Sequence, residues 1–454
     1  MSSHSPPSSG STLSNRGAAL AARPGARDEA DILYSRNWDL VTNPEGVVNL
    51  GTAENRLILD DVAEFIAEKK IKFEGADFDY GEGPWGSLRL RTAMAKFINA
   101  HFHPHSHLSP SNLTVSSGCT SLLSTLALTL ANPNDAILLS SPSYIGFPSD
   151  MSLLAGLQPI YVRFPSSVDQ FTSPPDAVVA AYSAALKHAS DTGVAVKILV
   201  LCNPHNPLGR CYTKEVLVGI MQFCDRHEIH LVVDEIYALS VYSTPSATDV
   251  PFTSVLAVDW AKYIDENHLH QLYGLSKDFA CGGLRIGSLY TRNVELQCAV
   301  SSLSVLHHSG TIPSLLASTL LEDTAWHDSF FATSRERLGR AAAFAKELLD
   351  KAAIPYAPGA NAGFFLWVDL RRWLGEKDGD GGDEWAREEA LSARMATEKV
   401  FMIGGRAQGT EEAGWYRFIF SRSEVVVREG VNRLVRALNA SPDRCNAPVS
   451  KSGD

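Results

Sequence analysis

Three apolar runs, at residues 135–140, 197–201 and 230–234, stand at intervals along the middle of the chain, and each closes on a polar or Pro/Gly-rich turn. Apolar residues follow one another without alternation in these runs. That pattern predicts strands buried on both faces, and the helical spacing between them predicts helices that cover those faces. The expected architecture is α/β, with a mostly parallel central sheet whose ligands sit at the carboxyl ends of the strands. A long helical stretch over 326–353 then leads into an alternating strand at 363–369, where a second, smaller unit is expected.

The remaining patterning sets the boundaries. Residues 1–28 are rich in Ser, Pro, Ala and Gly and predict a disordered arm. Residues 29–75 are expected to open the smaller domain, 76–325 to form the large cofactor-binding domain, 326–438 to complete the smaller one, and 439–454 to form a flexible tail. The acidic, glycine-rich stretch 375–383 lacks the order of ligands that a calcium loop requires, so a surface loop is expected there. His101, His103, His105 and His107 alternate beside Pro104 and predict an exposed connector rather than metal ligands.

Composition narrows the function classes. The chain has 454 residues, 45% hydrophobic and 20% charged, enough for a large core with a second domain attached. A net charge of −11 without basic clusters argues against a nucleic-acid partner. No apolar run of membrane-spanning length and no secretory h-region are present, which predicts a protein without a membrane partner. Seven cysteines without a Cys-x-x-Cys pair predict reduced thiols and a cytoplasmic location.

The chemistry gathers at the predicted strand ends. Lys277, in Tyr273-Gly274-Leu275-Ser276-Lys277, is followed by Ala280-Cys281-Gly282-Gly283 and then by Arg285. A lysine that can hold an aldehyde, beside an arginine that can hold a phosphate, is a pyridoxal-phosphate signature. Asp234 ends its run where a carboxylate can pair with the pyridine nitrogen and keep it protonated, although a helix cap is the simpler reading of that residue alone. Tyr237, and Asn206 in Asn203-Pro204-His205-Asn206-Pro207-Leu208-Gly209, can donate hydrogen bonds to the cofactor's phenolic oxygen. Ser117-Gly118-Cys119-Thr120 precedes an apolar helix, so Cys119, Thr120 and the first N–H groups offer a phosphate seat that Ser276 and Arg285 complete. Tyr144 can stack on the ring, although an aromatic at such a place is more often core. Arg417 lies within the apolar run 414–420 and calls for a buried anion, for which an amino-acid carboxylate is the best candidate. Gly81, Gly83 and Gly86 match a dinucleotide-binding spacing, but no apolar strand precedes them and no acidic residue follows at the required distance.

Taken together, these motifs resemble the class I/II aminotransferases of the fold-type I pyridoxal-phosphate enzymes, and within them the branch that includes 1-aminocyclopropane-1-carboxylate synthase and its fungal and animal relatives. The resemblance rests on Gly51-Thr52-Ala53-Glu54-Asn55, Tyr80 with the segment 86–91, the Asn203 turn, Asp234-Glu235-Ile236-Tyr237, Ser276-Lys277-Asp278 to Arg285, and Gly414-Trp415-Tyr416-Arg417. It implies that Lys277 carries the cofactor, that Arg417, Asn206 and Glu54 face the substrate, and that Tyr80 reaches the phosphate of a second copy in a homodimer with shared active sites. Gly274 stands where a phosphate-contacting hydroxyl is common, which implies one hydrogen bond fewer. The reaction expected is transamination at Cα of an amino acid, in fungal secondary metabolism by the habit of such relatives. A lyase that closes a ring or cleaves a carbon–sulfur bond is the alternative, and a catalytically silent cofactor-binding protein is a further one.

Overall fold

A computed structural model describes residues 12–22, 37–246, 249–375 and 383–440. Its strands, in chain order, are β1 (Val48–Asn49), β2 (Leu113–Ser117), β3 (Ala136–Ser140), β4 (Gln158–Val162), β5 (Val196–Cys202), β6 (His230–Asp234), β7 (Leu269–Gly274), β8 (Ile286–Thr291), β9 (Phe365–Asp369), β10 (Val400–Phe401), β11 (Ile403–Gly404) and β12 (Trp415–Ile419).

Seven of them form one sheet in the order β2-β8-β7-β6-β5-β3-β4. Only β8 runs against its neighbours; β7, β6, β5, β3 and β4 pair in parallel. The continuous apolar runs are explained by the two cores on either side. Leu199, Leu201, Leu231 and Val233 point into one, and Ile198, Val200, Cys202 and Val232 into the other. With both faces covered by apolar packing, the middle of these strands leaves no room for a solvent-facing polar position, and the exposed Lys197 stands at the outer end of β5.

A second sheet, β11-β12-β9, is antiparallel, and β1 pairs with β10. The helix Thr324–Lys351 covers the expected long helical stretch and leads toward β9. The strand expected to alternate does not: Phe365, Leu366, Trp367 and Val368 are all buried. One reason is the aromatic packing of Phe364 and Phe365 around Tyr237, with ring centroids 5.3 and 5.4 Å away.

The arm expected to be disordered contains a short helix, Asn15–Ala21, within its described part. Ser14 Oγ accepts the Gly17 N–H, and the alanine-rich run favours helix once it is capped. The rest of that arm, the core of the acidic stretch at 376–382 and the tail from 441 lie outside the described residues.

Close backbone approach holds the phosphate end of the sheet together. A Cβ on Gly287 of β8 would lie 2.5 Å from the Gly118 carbonyl carbon and 2.6 Å from the Cys119 nitrogen. One on Gly274 would lie 2.6 Å from the Ile286 oxygen, so no hydroxyl-bearing side chain fits where the family resemblance leads one to expect it. Gly287→Ala is therefore expected to destabilise the protein by about 2–3 kcal/mol. Gly283→Ala, whose added carbon meets nothing within 4 Å, is expected to stay within about 0.5 kcal/mol of the parent. Equilibrium denaturation of both variants checks the contrast.

Candidate active site

The strand ends converge on one cavity lined by Cys119, Thr120, Tyr144, Asn206, Asp234, Tyr237, Ser276, Lys277 and Arg285, with Leu123, Asp150, Cys202 and Ile236. Nine of the twelve residues singled out from the sequence are thus brought to one place. A second cavity shares Tyr144, Ser276, Lys277 and Arg285 with the first and adds Glu54 and Arg417. Tyr80 is not brought to either: it is 94% exposed, beside Asp77, Asp79 and Arg89.

Local sequence explains the placement. Lys277 stands in the turn after β7, and the next residue anchors that turn. Asp278 accepts the Leu239 N–H at 2.9 Å and the Tyr273 hydroxyl at 3.3 Å, which ties the lysine loop to the segment after β6. Lys277 Nζ donates to the Ala53 carbonyl at 2.6 Å. Burial, and next the Arg417 charge, pull its pKa down to about 8, against the opposing pull of Glu54 and Asp234. A lysine so tuned has a neutral fraction near physiological pH, as a nucleophile or a base requires.

Asp234 is buried at the end of β6, and among the described residues its carboxylate accepts one hydrogen bond, from the Ile236 N–H at 3.2 Å. Burial pushes its pKa up to about 7, with the Ile236 N–H and the Lys277 charge working against the rise. A buried carboxylate without a cation is costly, so this one is suited to a positively charged partner. Asn206, Tyr237 and Arg417 form one network. Asn206 Nδ2 donates to Tyr237 Oη at 3.2 Å, and Asn206 Oδ1 accepts from Arg417 Nη1 at 2.8 Å. Arg417 Nη2 donates to the Gly51 carbonyl at 2.7 Å, while its Nε has no partner. Arg417 is 2% exposed, and among the described residues no carboxylate meets it.

The phosphate end is equally unfinished. Arg285 adopts a left-handed backbone (φ 54°), and among the described residues its guanidinium donates only to the carbonyls of Gly282 and Ser117, at 3.2 and 3.4 Å. It lies over Gly118, whose φ of +82° and lack of a side chain leave the space that a Cβ would fill. The helix Gly118–Leu130 has no side-chain cap, so its first N–H groups remain available. An open guanidinium, uncapped helix N–H groups, the Thr120 and Ser276 hydroxyls, a lysine and an uncompensated carboxylate together fit pyridoxal phosphate in charge and in donor set.

Sequence reasoning missed Asp150, Arg56 and Arg422. Asp150 stands in the helix Gly146–Ser152, lines the cavity, and has a buried Oδ2 without a partner. Burial raises its pKa to about 7, opposed by the Thr120 hydroxyl and the Arg285 charge. Its place six positions after Tyr144 was the available signal. Glu54, expected to face substrate, is held by Arg56 at 3.2 Å and lies 3.5 Å from Arg422. Of the alternating histidines, His101 contacts His327 at 3.4 Å and His105 meets Asp259 at 3.3 Å.

A mostly parallel sheet with a lysine and an aspartate at its strand ends defines a fold-type I pyridoxal-phosphate enzyme. Comparison with known proteins agrees: residues 45–434 match the family model "Aminotransferase class I and II", and the chain belongs to that family, whose fold is pyridoxal-phosphate-dependent. It is 32% identical to "1-aminocyclopropane-1-carboxylate synthase-like protein 1" of Bos taurus over 96% of this chain and 85% of that one. It is also 32% identical to "Probable aminotransferase gliI" of Aspergillus fumigatus, over 88% of this chain and 91% of that protein. Among solved structures, a Thermus thermophilus aspartate aminotransferase mutant superposes with a TM-score of 0.71 at 22% identity, covering 94% of this chain and all of that one, and supports the fold.

The Asp234 carboxyl supplies a pH test. Its folded pKa, about 7, lies above the unfolded value near 3.8, so the folded chain without cofactor binds the extra proton. This contribution to stability is complete below pH 3.8 and is lost as pH rises to about 7, with a slope of up to about 1.4 kcal/mol per pH unit. Asp234→Asn in the cofactor-free protein is expected to stabilise it relative to the parent at pH 7.5 and to lose most of that advantage at pH 5, as read from urea denaturation.

Proposed function

We propose that this protein is a pyridoxal-phosphate-dependent aminotransferase that acts at Cα of an α-amino acid. The observation that carries the reading is Arg417: a buried guanidinium with no carboxylate partner, on a cavity shared with Lys277. A carboxylate is the ligand that satisfies a buried arginine with two in-plane donors.

When bound, the cofactor supplies an electrophilic aldehyde and an electron-withdrawing pyridine ring. Lys277 Nζ would hold the cofactor and, once free of it, would take the proton from Cα of a substrate whose carboxylate Arg417 would fix. Asp234 would keep the pyridine nitrogen protonated, and Tyr237 and Asn206 would donate to the phenolic oxygen. Tyr144 would pack against the ring. Arg285, Ser276, Thr120 and the N–H groups around Cys119 would hold the phosphate. Tyr80, exposed on its own chain, completes the phosphate seat of a second copy in a homodimer. On this reading Arg417 belongs to the smaller domain (326–438) and Lys277 to the larger (76–325), so the site lies where the two meet.

The likeness to synthase-like relatives favours a second reading, a lyase that shares these steps as far as loss of the Cα proton and differs in what leaves afterwards. Fold alone does not separate the two. Mixing the holoenzyme with L-amino acids and S-adenosylmethionine is expected to give keto acid and aminated cofactor in equal amounts. Release of thiol, ammonia or another leaving group with the cofactor unchanged would establish the lyase. Arg417→Ala is expected to lower kcat/KM for α-amino acids by about 100-fold or more, since a lost charge-assisted pair in a buried site costs about 3 kcal/mol or more.

A further inference from the structure

The cavity on the substrate side of Lys277 is lined by Gly51, Glu54, Arg56, Ile145, Ile403 and Arg417, among others. Under the reading above, most charges near it are already assigned. Lys277 is joined to the cofactor, Arg285 faces its phosphate, Asp234 its ring nitrogen, and Arg417 the substrate's carboxylate. Glu54, Arg56 and Arg422 are left over.

These three form a closed group. Arg56 Nε donates to Glu54 Oε2 at 3.2 Å, Arg56 Nη2 stands 3.2 Å from the same oxygen, and Arg422 Nη1 lies 3.5 Å from it. The Arg422 side chain is 5% exposed, its Nη2 donates to the Thr52 carbonyl at 3.0 Å, and its Nε is buried without a partner. One carboxylate is therefore shared between two guanidinium groups, and the group carries a net charge of +1 (two cations, one anion).

Two consequences follow for whatever side chain reaches this end of the cavity. An ammonium or sulfonium meets a carboxylate that two guanidinium groups already share, and surplus positive charge beside it, so such a group is disfavoured by repulsion. A carboxylate finds the opposite, with Arg56 lining the cavity as a planar donor. We propose that this end of the cavity selects α-amino acids whose side chain ends in an anion, with Arg56 making the contact in competition with Glu54. The inference rests on the seat assigned to Arg417, and it goes beyond that reading by excluding a sulfonium such as S-adenosylmethionine as the preferred substrate.

Isosteric pairs test it. For the holoenzyme, kcat/KM is measured with aspartate and asparagine, glutamate and glutamine, lysine and S-adenosylmethionine. At least one acidic member is expected to exceed its amide by about 10-fold or more. Arg56→Gln is expected to narrow that ratio, and Glu54→Gln, which frees both guanidinium groups, to widen it. Opposite shifts from neighbouring substitutions are not produced by a general folding defect. Independently of turnover, succinate or glutarate is expected to raise the Tm of the holoenzyme more than butyrate does, and Arg56→Gln to remove the difference. A preference for amides, lysine or S-adenosylmethionine, or a ratio unmoved by both substitutions, overturns the inference and leaves the seat at Arg417 standing. If no amino acid reacts or changes the cofactor spectrum, and no carboxylate raises Tm, the seat at Arg417 fails together with the selectivity.

Discussion

One buried amide fixes the distance between the two halves of the site. Asn206, 1% exposed, donates to Tyr237 from its nitrogen and accepts from Arg417 through its oxygen. Tyr237 follows a strand of the seven-stranded sheet, and Arg417 belongs to the three-stranded one. Because the amide has one donor end and one acceptor end, it serves both partners only in one orientation. The loop that carries it is itself tied down, since Asn203 N–H donates to the Asp234 carbonyl and Asn203 Oδ1 accepts the Tyr212 N–H. The Tyr237 hydroxyl and the Arg417 guanidinium are thereby set relative to each other, and on the proposed reading so are a cofactor oxygen and a substrate carboxylate before either arrives. Such preorganisation is what lets binding energy act on the reacting geometry.

What the sequence made legible follows from where each signal is local. The strands with apolar residues on both faces announced the parallel sheet, because period-free apolar runs of that length have few other uses. Lys277, Asp234, Asn206 and Arg285 were legible because each sits at or just beyond a strand end, where a polar residue after an apolar run has to face a ligand or solvent. Arg417 was legible for the opposite reason, as a charge inside an apolar strand. The strand Phe365–Asp369 was misread because its polar-side partners are aromatic residues of distant segments, and periodicity carries no information about what covers a face.

The missed residues share a different trait. Arg422 meets Thr52 and Glu54 from the far end of the chain, and only the fold brings the three together. Asp150 looks like an ordinary polar position of a short helix, and its burial becomes visible only when that helix lies against the phosphate end. Tyr80 is the reverse case, a residue whose motif points to a ligand while its own chain leaves it in solvent. Exposed aromatic and aliphatic side chains accompany it, among them Phe78, Leu88 and Leu306. Residues 73–88 thus present apolar surface next to an aromatic that its own chain does not use, in keeping with a partner that covers both.

The charges of the site are best understood as a set of incomplete pairs. Among the described residues Arg417 and Arg285 lack carboxylates, Asp234 lacks a paired cation, and Asp150 has an oxygen with no donor. The buried ones among them, Arg417 and Asp234, destabilise the free protein when left this way, so their persistence together is best explained by ligands that complete them. Read in that manner, each gap specifies its complement: a dianion at Arg285, a ring cation at Asp234 and a carboxylate at Arg417. The cluster of Glu54, Arg56 and Arg422 obeys the same logic with one difference, for its gap is a surplus of charge and not a missing partner. On the proposed reading, the first three gaps serve the chemistry up to loss of the Cα proton and the fourth the choice of substrate, and the fourth is the part of the site least legible in the sequence.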